Sequence, residues 1–184
     1  MLVVSCAALV VTVARGPVGH QPGRVFILKN ADAAATSVVF TRLDSLAANS
    51  PGRFVSSIYV DPADGNHAWI SYSGYNVTTP AQPGHVFEVR YNPTAGTATW
   101  TNLDGGTGPL GDLPVTDLVR DDLTGDLYAA TDFGVLVQKA GTSAWLRSGT
   151  GLPNVEVAGL TILPSERLIY AATHGRSAWR MSLP

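Results

Sequence analysis

The chain has 184 residues, of which 45% are hydrophobic and only 14% charged, and its formal net charge is −2. This length allows one domain or a modest repeat array, and the apolar fraction excludes a disordered chain. The arginines are scattered and form no basic stripe, so nucleic acid is not an expected partner. The single cysteine, Cys6, excludes an internal disulfide and a multi-cysteine zinc site.

The apolar start of the chain, Met1 to Ala14, has two interpretations. Val3 to Cys6 resembles a bacterial lipoprotein cleavage box, but no Lys or Arg precedes the apolar run, as an export signal requires. The run is also shorter than the roughly 20 residues that span a membrane, so no membrane span is expected. We interpret it as buried strands of a truncated first repeat.

Three segments repeat a short strand, a polar turn and a second strand. They begin at Val55, Val115 and Val157, 60 and 42 residues apart. The second strands are predicted at 68–72, 127–131 and 168–173. Loops inserted at 74–83 and 104–113 explain why the first interval is longer than the second. Without these loops the repeating unit has about 40 residues, the length of a four-stranded propeller blade.

A second repeat predicts the third and fourth strands of successive blades. Gly23 to Phe26, followed by Thr41 to Asp44, parallels Gly84 to Phe87 followed by Thr101 to Asp104. The fold class is therefore all-β, a β-propeller of four-stranded antiparallel blades. The predicted units are a partial first blade (1–49), a second blade with an inserted loop (50–110), a third blade (111–151) and a last blade (152–184).

Propellers close into rings of four to eight blades, which protects the edges of their sheets. The chain holds three to four blades, so we expect an incomplete propeller with further blades missing. A rare four-bladed ring is the alternative.

The stretches 168–179 and 113–118 resemble the terminal blades of sialidase-like and xyloglucanase-like propellers with BNR, or Asp-box, repeats. The turns at 92–100 and 139–145 keep the Gly and Trp of an Asp-box but lack its Asp. The resemblance implies an exported or cell-surface protein associated with carbohydrate. In such propellers the Trp packs between blades, which we expect for Trp100 and Trp145.

Propeller ligands usually bind where loops leave the strands that line the channel. The candidate ligand-binding residues there are Tyr72, Tyr75, Asp132, His174 and Arg176. Tyr72 and Tyr75 would form an exposed aromatic pair, and His174 with Arg176 an anion-directed pair. The alternative is that 131–134 and 173–176 are turns whose polar side chains bind backbone groups.

Asp117 and Asp132 are the only candidate catalytic pair. Hydrolysis of a glycosidic bond requires two carboxylates about 5 to 9.5 Å apart across a sugar ring. The alternative is that both carboxylates accept local hydrogen bonds. A sialidase-type site would also need three Arg and a Tyr nucleophile, for which only Arg176 and Tyr72 can be nominated.

No metal or other cofactor is expected. The acidic stretches 61–65 and 121–125 lack the calcium-binding EF-hand pattern and are predicted to be hairpin turns. Asn76 lies in a glycosylation sequon, which has meaning only in a secreted chain.

The sequence thus predicts a propeller segment that binds carbohydrate or protein through its loops. A part of a glycoside hydrolase and an interaction scaffold are the alternatives, because one fold hosts many functions.

Overall fold

The computed structural model describes residues 8–12, 23–29, 34–46, 50–105 and 108–184. Within them the chain is all-β, and its strands form four antiparallel sheets of three or four strands. None of the described helices is long and apolar enough to cross a membrane. The predictions for residues 1–7 and 13–22 lie outside the described residues.

Each sheet is a meander of consecutive strands. Sheet 1 contains β1 (Ala8–Thr12), β2 (Arg24–Lys29) and β3 (Val39–Arg42); sheet 2 contains β4 (Val55–Asp61), β5 (Asp64–Tyr72), β6 (Val86–Asn92) and β7 (Thr97–Asn102). Sheet 3 contains β8 (Val115–Arg120), β9 (Leu127–Thr131), β10 (Gly134–Gln138) and β11 (Trp145–Arg147); sheet 4 contains β12 (Val157–Leu163), β13 (Leu168–Thr173) and β14 (Ala178–Ser182). Single 3-10 turns occupy Ala35–Ser37, Asp44–Leu46, Asn76–Thr78 and Pro164–Glu166. The all-β propeller prediction is confirmed, and β5, β9 and β13 are the predicted second strands.

The first strands of sheets 2, 3 and 4 pack side by side in chain order. Each has a β-bulge at the same place, between Val55 and Ser57, between Val115 and Asp117, and between Val157 and Gly159. The bulge turns the following residue toward the next sheet. The Ser57 hydroxyl donates to the carbonyl of Leu118 at 3.4 Å, and the Leu160 amide donates to Asp117 Oδ2 at 2.8 Å.

Apolar clusters fill the spaces between neighbouring sheets. Trp100 lies in the cluster between sheets 1 and 2, and Trp145 in the cluster between sheets 2 and 3. The expectation that these tryptophans pack between blades is confirmed. Because each inner sheet is covered on both sides, its middle strands are buried on both faces, as the whole of β9 is.

The turns compared with Asp-boxes connect the third and fourth strands of sheets 2 and 3. In sheet 2 the Asn92 side chain accepts the amides of Thr94 and Ala95, both at 3.0 Å. The Asn92 side chain therefore stabilises this turn through backbone amides two and three residues further along the chain. Gly96 has φ 66°, a left-handed conformation that favours glycine.

Candidate binding face

One face of the stacked sheets is built from the loops where first strands begin and second strands end. We call it the loop face; its described loops are 50–54, 73–85, 103–105, 108–114, 132–133, 148–156 and 174–177. Both inserted loops predicted from the repeat lie here. All of the predicted ligand-binding positions lie on this face or at its border.

A buried arginine fixes the first inserted loop. Arg53 donates from Nη1 to Asn76 Oδ1 at 2.9 Å and to Thr79 Oγ1 at 3.2 Å, and from Nη2 to the carbonyl of Gly84. Burial lowers the pKa of Arg53, and the charges of the nearby Asp104 and Asp112 oppose this lowering. The charged guanidinium therefore binds three points of one loop and limits the conformations that the loop can adopt.

Asn76 connects this loop to the second inserted loop. Its side-chain oxygen accepts the amide of Gly84 at 2.9 Å in addition to Arg53, and its own amide donates to Asp112 Oδ1 at 2.7 Å. The residue of the glycosylation sequon thus has a structural role in joining the two inserts.

A histidine lies between two carboxylates beneath these loops. His85 is fully buried; its Nδ1 lies 3.0 Å from Asp104 Oδ2, and its Nε2 lies 3.4 Å from Asp112 Oδ1. Asp104 also accepts the amides of His85 and Val86 at 2.9 Å. In sheet 1, Asp44 likewise accepts the amide of Val25 at 3.0 Å. The aspartate of the repeated Leu-Asp pair therefore binds the start of β2 in sheet 1 and the start of β6 in sheet 2.

Tyr75 and Asp132 meet across the boundary between sheets 2 and 3. The Tyr75 hydroxyl donates to Asp132 Oδ2 at 3.2 Å, while its ring is 45% exposed. The charge of Asp132 raises the pKa of Tyr75, and Asp112 adds to the effect. The phenol therefore stays a neutral hydrogen-bond donor beside two carboxylates. The structure brings together these two predicted residues.

Other large apolar side chains are exposed on the same face. They are Phe54, Val77 and Phe133, each of which directly follows one of the residues just described. Phe54 is joined to the first inserted loop through its carbonyl, which accepts the amide of Ser73 at 3.0 Å. The face therefore combines exposed rings with carboxylates.

The predicted exposed pair of Tyr72 and Tyr75 does not form, because Tyr72 is fully buried. Its ring packs edge-on against Phe87 at 5.7 Å, and its hydroxyl lies 3.4 Å from Ser50 Oγ. Burial raises the pKa of Tyr72. Tyr72 ends a middle strand that is covered on both faces, so this position belongs to the core.

The two candidate catalytic carboxylates have different neighbours. Asp117 accepts the amides of Leu118 and Leu160, each at 2.8 Å, and so connects sheet 3 to sheet 4. Asp132 accepts the hydroxyl of Tyr75. This arrangement matches the alternative interpretation for Asp117, in which the carboxylate serves backbone groups.

His174 and Arg176 lie in an exposed turn of sheet 4. His174 Nδ1 lies 3.0 Å from Glu156 Oε2, and its amide donates to the carbonyl of Glu156 at 3.0 Å. The carbonyl of Arg176 accepts the indole N–H of Trp179 at 2.8 Å. Glu156 thus places a carboxylate beside the predicted anion-directed pair.

The two stretches considered as calcium sites are turns whose aspartates accept hydrogen bonds from other residues of the chain. Asp61 accepts the amide of Ala63 at 2.9 Å. Asp121 accepts the Thr124 hydroxyl at 2.8 Å and both terminal nitrogens of Arg167 at 2.7 Å. Among the described residues, no group of three or more potential His, Cys, Asp or Glu ligands lies close enough to hold a metal ion.

Sequence reasoning missed Arg53, His85, Asp104 and Asp112 as parts of this face. The repeat of Leu-Asp at 43–44 and 103–104 contained a signal for Asp104. No local pattern marks Arg53, because its partners lie 23 to 31 residues further along the chain.

Comparisons with solved structures identify propeller proteins of low sequence identity. The extracellular domain of BT4673 from B. thetaiotaomicron matches with a TM-score of 0.51 and 19% identity, over 84% of this chain and 20% of that chain. The β-propeller domain of Myceliophteria thermophila Cps50 gives 0.46 and 10%, over 91% and 68% of the two chains. An ancestral GH74 enzyme gives 0.46 and 17%, over 89% and 21%.

The chain matches no protein-family model, and no curated protein matches it. It spans about one fifth of the BT4673 domain. At these identities the likeness concerns the fold, so function must be argued from the loop face itself.

Proposed function

We propose that this propeller segment is a carbohydrate-binding module whose ligand contacts Tyr75, Asp132 and Phe133 on the loop face. The observation that carries the proposal is the exposed Tyr75 ring, held between sheets by its hydrogen bond to Asp132. Sugar C–H groups pack on aromatic rings, and sugar hydroxyls donate to carboxylates. A ring and a carboxylate side by side supply both contacts.

The anchored loop supports the same function. Arg53 and Asn76 fix the loop that carries Tyr75, so the ring needs little further ordering when a ligand binds. A site that is ordered before binding loses less conformational entropy on binding.

The charge of the site selects among carbohydrates. Asp112 and Asp132 lie beside Tyr75, whereas the Arg53 guanidinium is buried and bound to the loop. Carboxylates repel an acidic sugar. Among the described residues, Arg147 is an exposed arginine that contacts the site, at the carbonyl of Phe133, but it is also bound to Asn154, and no cluster of exposed arginines surrounds Tyr75. We therefore expect neutral glycans to bind in preference to sialylated ones, which argues against a sialidase-like function.

The glycoside-hydrolase alternative has less support, since the Asp117 carboxylate already accepts hydrogen bonds from two backbone amides.

A protein ligand is the second candidate, because Phe54 and Val77 extend the exposed apolar surface beside Tyr75. An extracellular or cell-surface location is proposed with the binding function; the BT4673 match, described as an extracellular domain, is consistent with it.

The test is affinity electrophoresis of the chain in gels that contain xyloglucan, a β-glucan or a sialylated glycan. We expect retardation by a neutral polysaccharide, and a loss of at least about tenfold in affinity for Tyr75→Ala. Leu123→Ala removes an apolar side chain that is exposed on the opposite face and should change affinity less than about twofold. Retardation by no glycan, or equal retardation of the Tyr75→Ala variant, would contradict the proposal.

A further inference from the structure

The buried histidine beneath the loop face has one ring nitrogen without a hydrogen-bond partner. His85 directly precedes β6 and is fully buried. Its Nδ1 lies 3.0 Å from Asp104 Oδ2. Its Nε2 is buried too, but among the described residues no group forms a hydrogen bond with it. Asp112 Oδ1 faces this nitrogen at 3.4 Å, slightly beyond the usual N–H···O range of about 2.7–3.2 Å.

The contact with Asp104 determines which nitrogen of a neutral His85 ring carries the proton. An ionised carboxylate only accepts hydrogen bonds, so Nδ1 is the donor and Nε2 keeps its lone pair. That lone pair faces the Asp112 carboxylate, and two acceptors repel each other. Nε2 becomes a donor only when the ring takes up a second proton. The imidazolium then donates to both carboxylates in charge-assisted hydrogen bonds.

The described charged groups around the ring are two carboxylates and one guanidinium. Asp104 and Asp112 belong to the second inserted loop, and Arg53, which lies before β4, interacts electrostatically with both. On β5, the Tyr72 amide donates to the His85 carbonyl at 2.8 Å, and burial, which raises the pKa of Tyr72, keeps its phenol neutral. One carboxylate charge is therefore unbalanced while the ring is neutral, and proton uptake by the ring balances it.

Asp112 connects this histidine to the proposed glycan site. Its Oδ1, the oxygen that faces Nε2, accepts the amide of Asn76 at 2.7 Å. Asn76 directly follows Tyr75 in the first inserted loop. The Asp112 side chain is 51% exposed, so a donor at Nε2 would give it a buried anchor. The protonation state of the ring thus acts, through one carboxylate, on the backbone next to Tyr75.

We propose that His85 is a positioning residue that makes the order of the two inserted loops, and with it the affinity of the loop face for glycan, depend on pH. The statement about glycan affinity rests on the proposed function. Protonated His85 binds Asp112 and holds the two loops together, whereas the neutral ring repels this carboxylate and loosens them. Histidine is the side chain that ordinarily changes its charge between about pH 5 and 8. A neutral polysaccharide has no group that titrates there, so any pH dependence belongs to the protein.

The first measurement follows the loops without a ligand. Hydrogen exchange of the full chain is compared at about pH 5.5 and pH 8, on either side of the ordinary histidine range, with correction for the intrinsic effect of pH on exchange. Protection of residues 73–85 and 108–114 should be at least about fivefold greater at the lower pH, the size of a typical coupling between sites. His85→Gln should abolish the difference, because an amide does not titrate. Circular dichroism checks that this variant is folded.

Asp112→Asn gives an independent test at a half-exposed position, should His85→Gln fail to fold. The new amide keeps an oxygen that can accept the Asn76 amide, and its nitrogen can donate to the lone pair of neutral His85. Loop protection in this variant should therefore differ less than about twofold between the two pH values. His174→Gln is the matched control: it removes an exposed histidine beside Glu156 and should retain the wild-type difference.

The second measurement is the affinity for the neutral polysaccharide that retards the chain most, by isothermal titration calorimetry at the same two pH values. Wild type and His174→Gln should bind at least about fivefold more tightly at the lower pH. In His85→Gln and Asp112→Asn the two affinities should agree within about twofold.

Equal loop protection at both pH values in the wild type, or a difference that persists in both His85→Gln and Asp112→Asn, would overturn the proposal. So would a glycan affinity that does not change with pH, a result that leaves glycan binding itself intact. A pH-dependent change in loop protection in a chain that binds no glycan at either pH would support the effect of His85 on loop order and contradict the proposed function.

Discussion

The interface between sheets 2 and 3 and the interface between sheets 3 and 4 use the same repeat differently. In the first, Trp145 fills the space and hydrogen-bonds to Leu103. In the second, an apolar cluster that includes the buried Tyr128 ring packs beside an open cleft, and among the described residues no fourth strand of sheet 4 adds a tryptophan to it. Asp117 and the Asp121–Arg167 pair also connect these two sheets. Both interfaces are therefore packed with apolar side chains, but the tryptophan that fills the first has no counterpart among the described residues of the second.

The largest effect is expected for Trp145→Ala. Removal of this buried indole leaves a cavity between sheets 2 and 3 and exposes the carbonyl of Leu103. We expect the free energy of unfolding to fall by about 3–5 kcal/mol. Urea denaturation monitored by circular dichroism measures this loss in the free energy of unfolding. A loss below about 1 kcal/mol would mean that the packing of Trp145 does not stabilise the interface between sheets 2 and 3.

Asp121→Asn should give the next largest loss, and its size should depend on pH. Hydrogen bonds from Arg167 hold the pKa of Asp121 at about 2, below the usual 3.8. Because the folded-state pKa is lowered, the contribution to stability is complete above pH 3.8 and is lost as the pH falls toward 2. Thermal unfolding of wild type and variant between pH 2 and 6 should show a gap in Tm that closes toward pH 2; a gap independent of pH would contradict this account.

Asp117→Ala tests the other polar connection between sheets 3 and 4. The substitution removes the acceptor of the Leu160 amide, and we expect a loss of about 1–3 kcal/mol in the free energy of unfolding. Ser57→Ala, at the equivalent position of sheet 2, removes only a 3.4 Å hydrogen bond and should cost less. Equal losses in urea denaturation would show that the bulge position, not the carboxylate, determines the effect.

The smallest effect is expected for Phe40→Ala. Phe40 is the sheet 1 equivalent of Trp100, since it pairs with Leu28 as Trp100 pairs with Val89, but it is 58% exposed whereas Trp100 is 6% exposed. We expect a change within about 0.5 kcal/mol for Phe40→Ala, in contrast to Trp100→Ala. Similar losses for both would mean that Phe40 is covered in solution.

The sequence predicted the repeat and its strands well, because turn residues and the shared Tyr-Ala-Ala-Thr fix the hairpins locally. It also predicted the packing of Trp100 and Trp145, since recurrence at one repeat position indicates a shared role. The exposed position of Tyr72 was wrong: it was predicted because Tyr72 stands at the start of the inserted loop, but Tyr72 is the last residue of β5, which neighbouring sheets cover on both faces.

The loop face was predicted in part. Tyr75 and Asp132 were assigned separately to neighbouring repeats, and the structure joins them by one hydrogen bond. The buried support from Arg53 to Asn76 depends on contacts between distant loops, which periodicity and turn preference do not encode.

The most direct test of the account is hydrogen exchange of the full chain with and without the neutral polysaccharide that retards it most. If the loop face binds the glycan, protection should increase in residues 73–85 and 132–134, around Tyr75 and Asp132. Protection confined to β14, or to the opposite-face turns at 121–126 and 164–167, would contradict the assignment of ligand binding to the loop face.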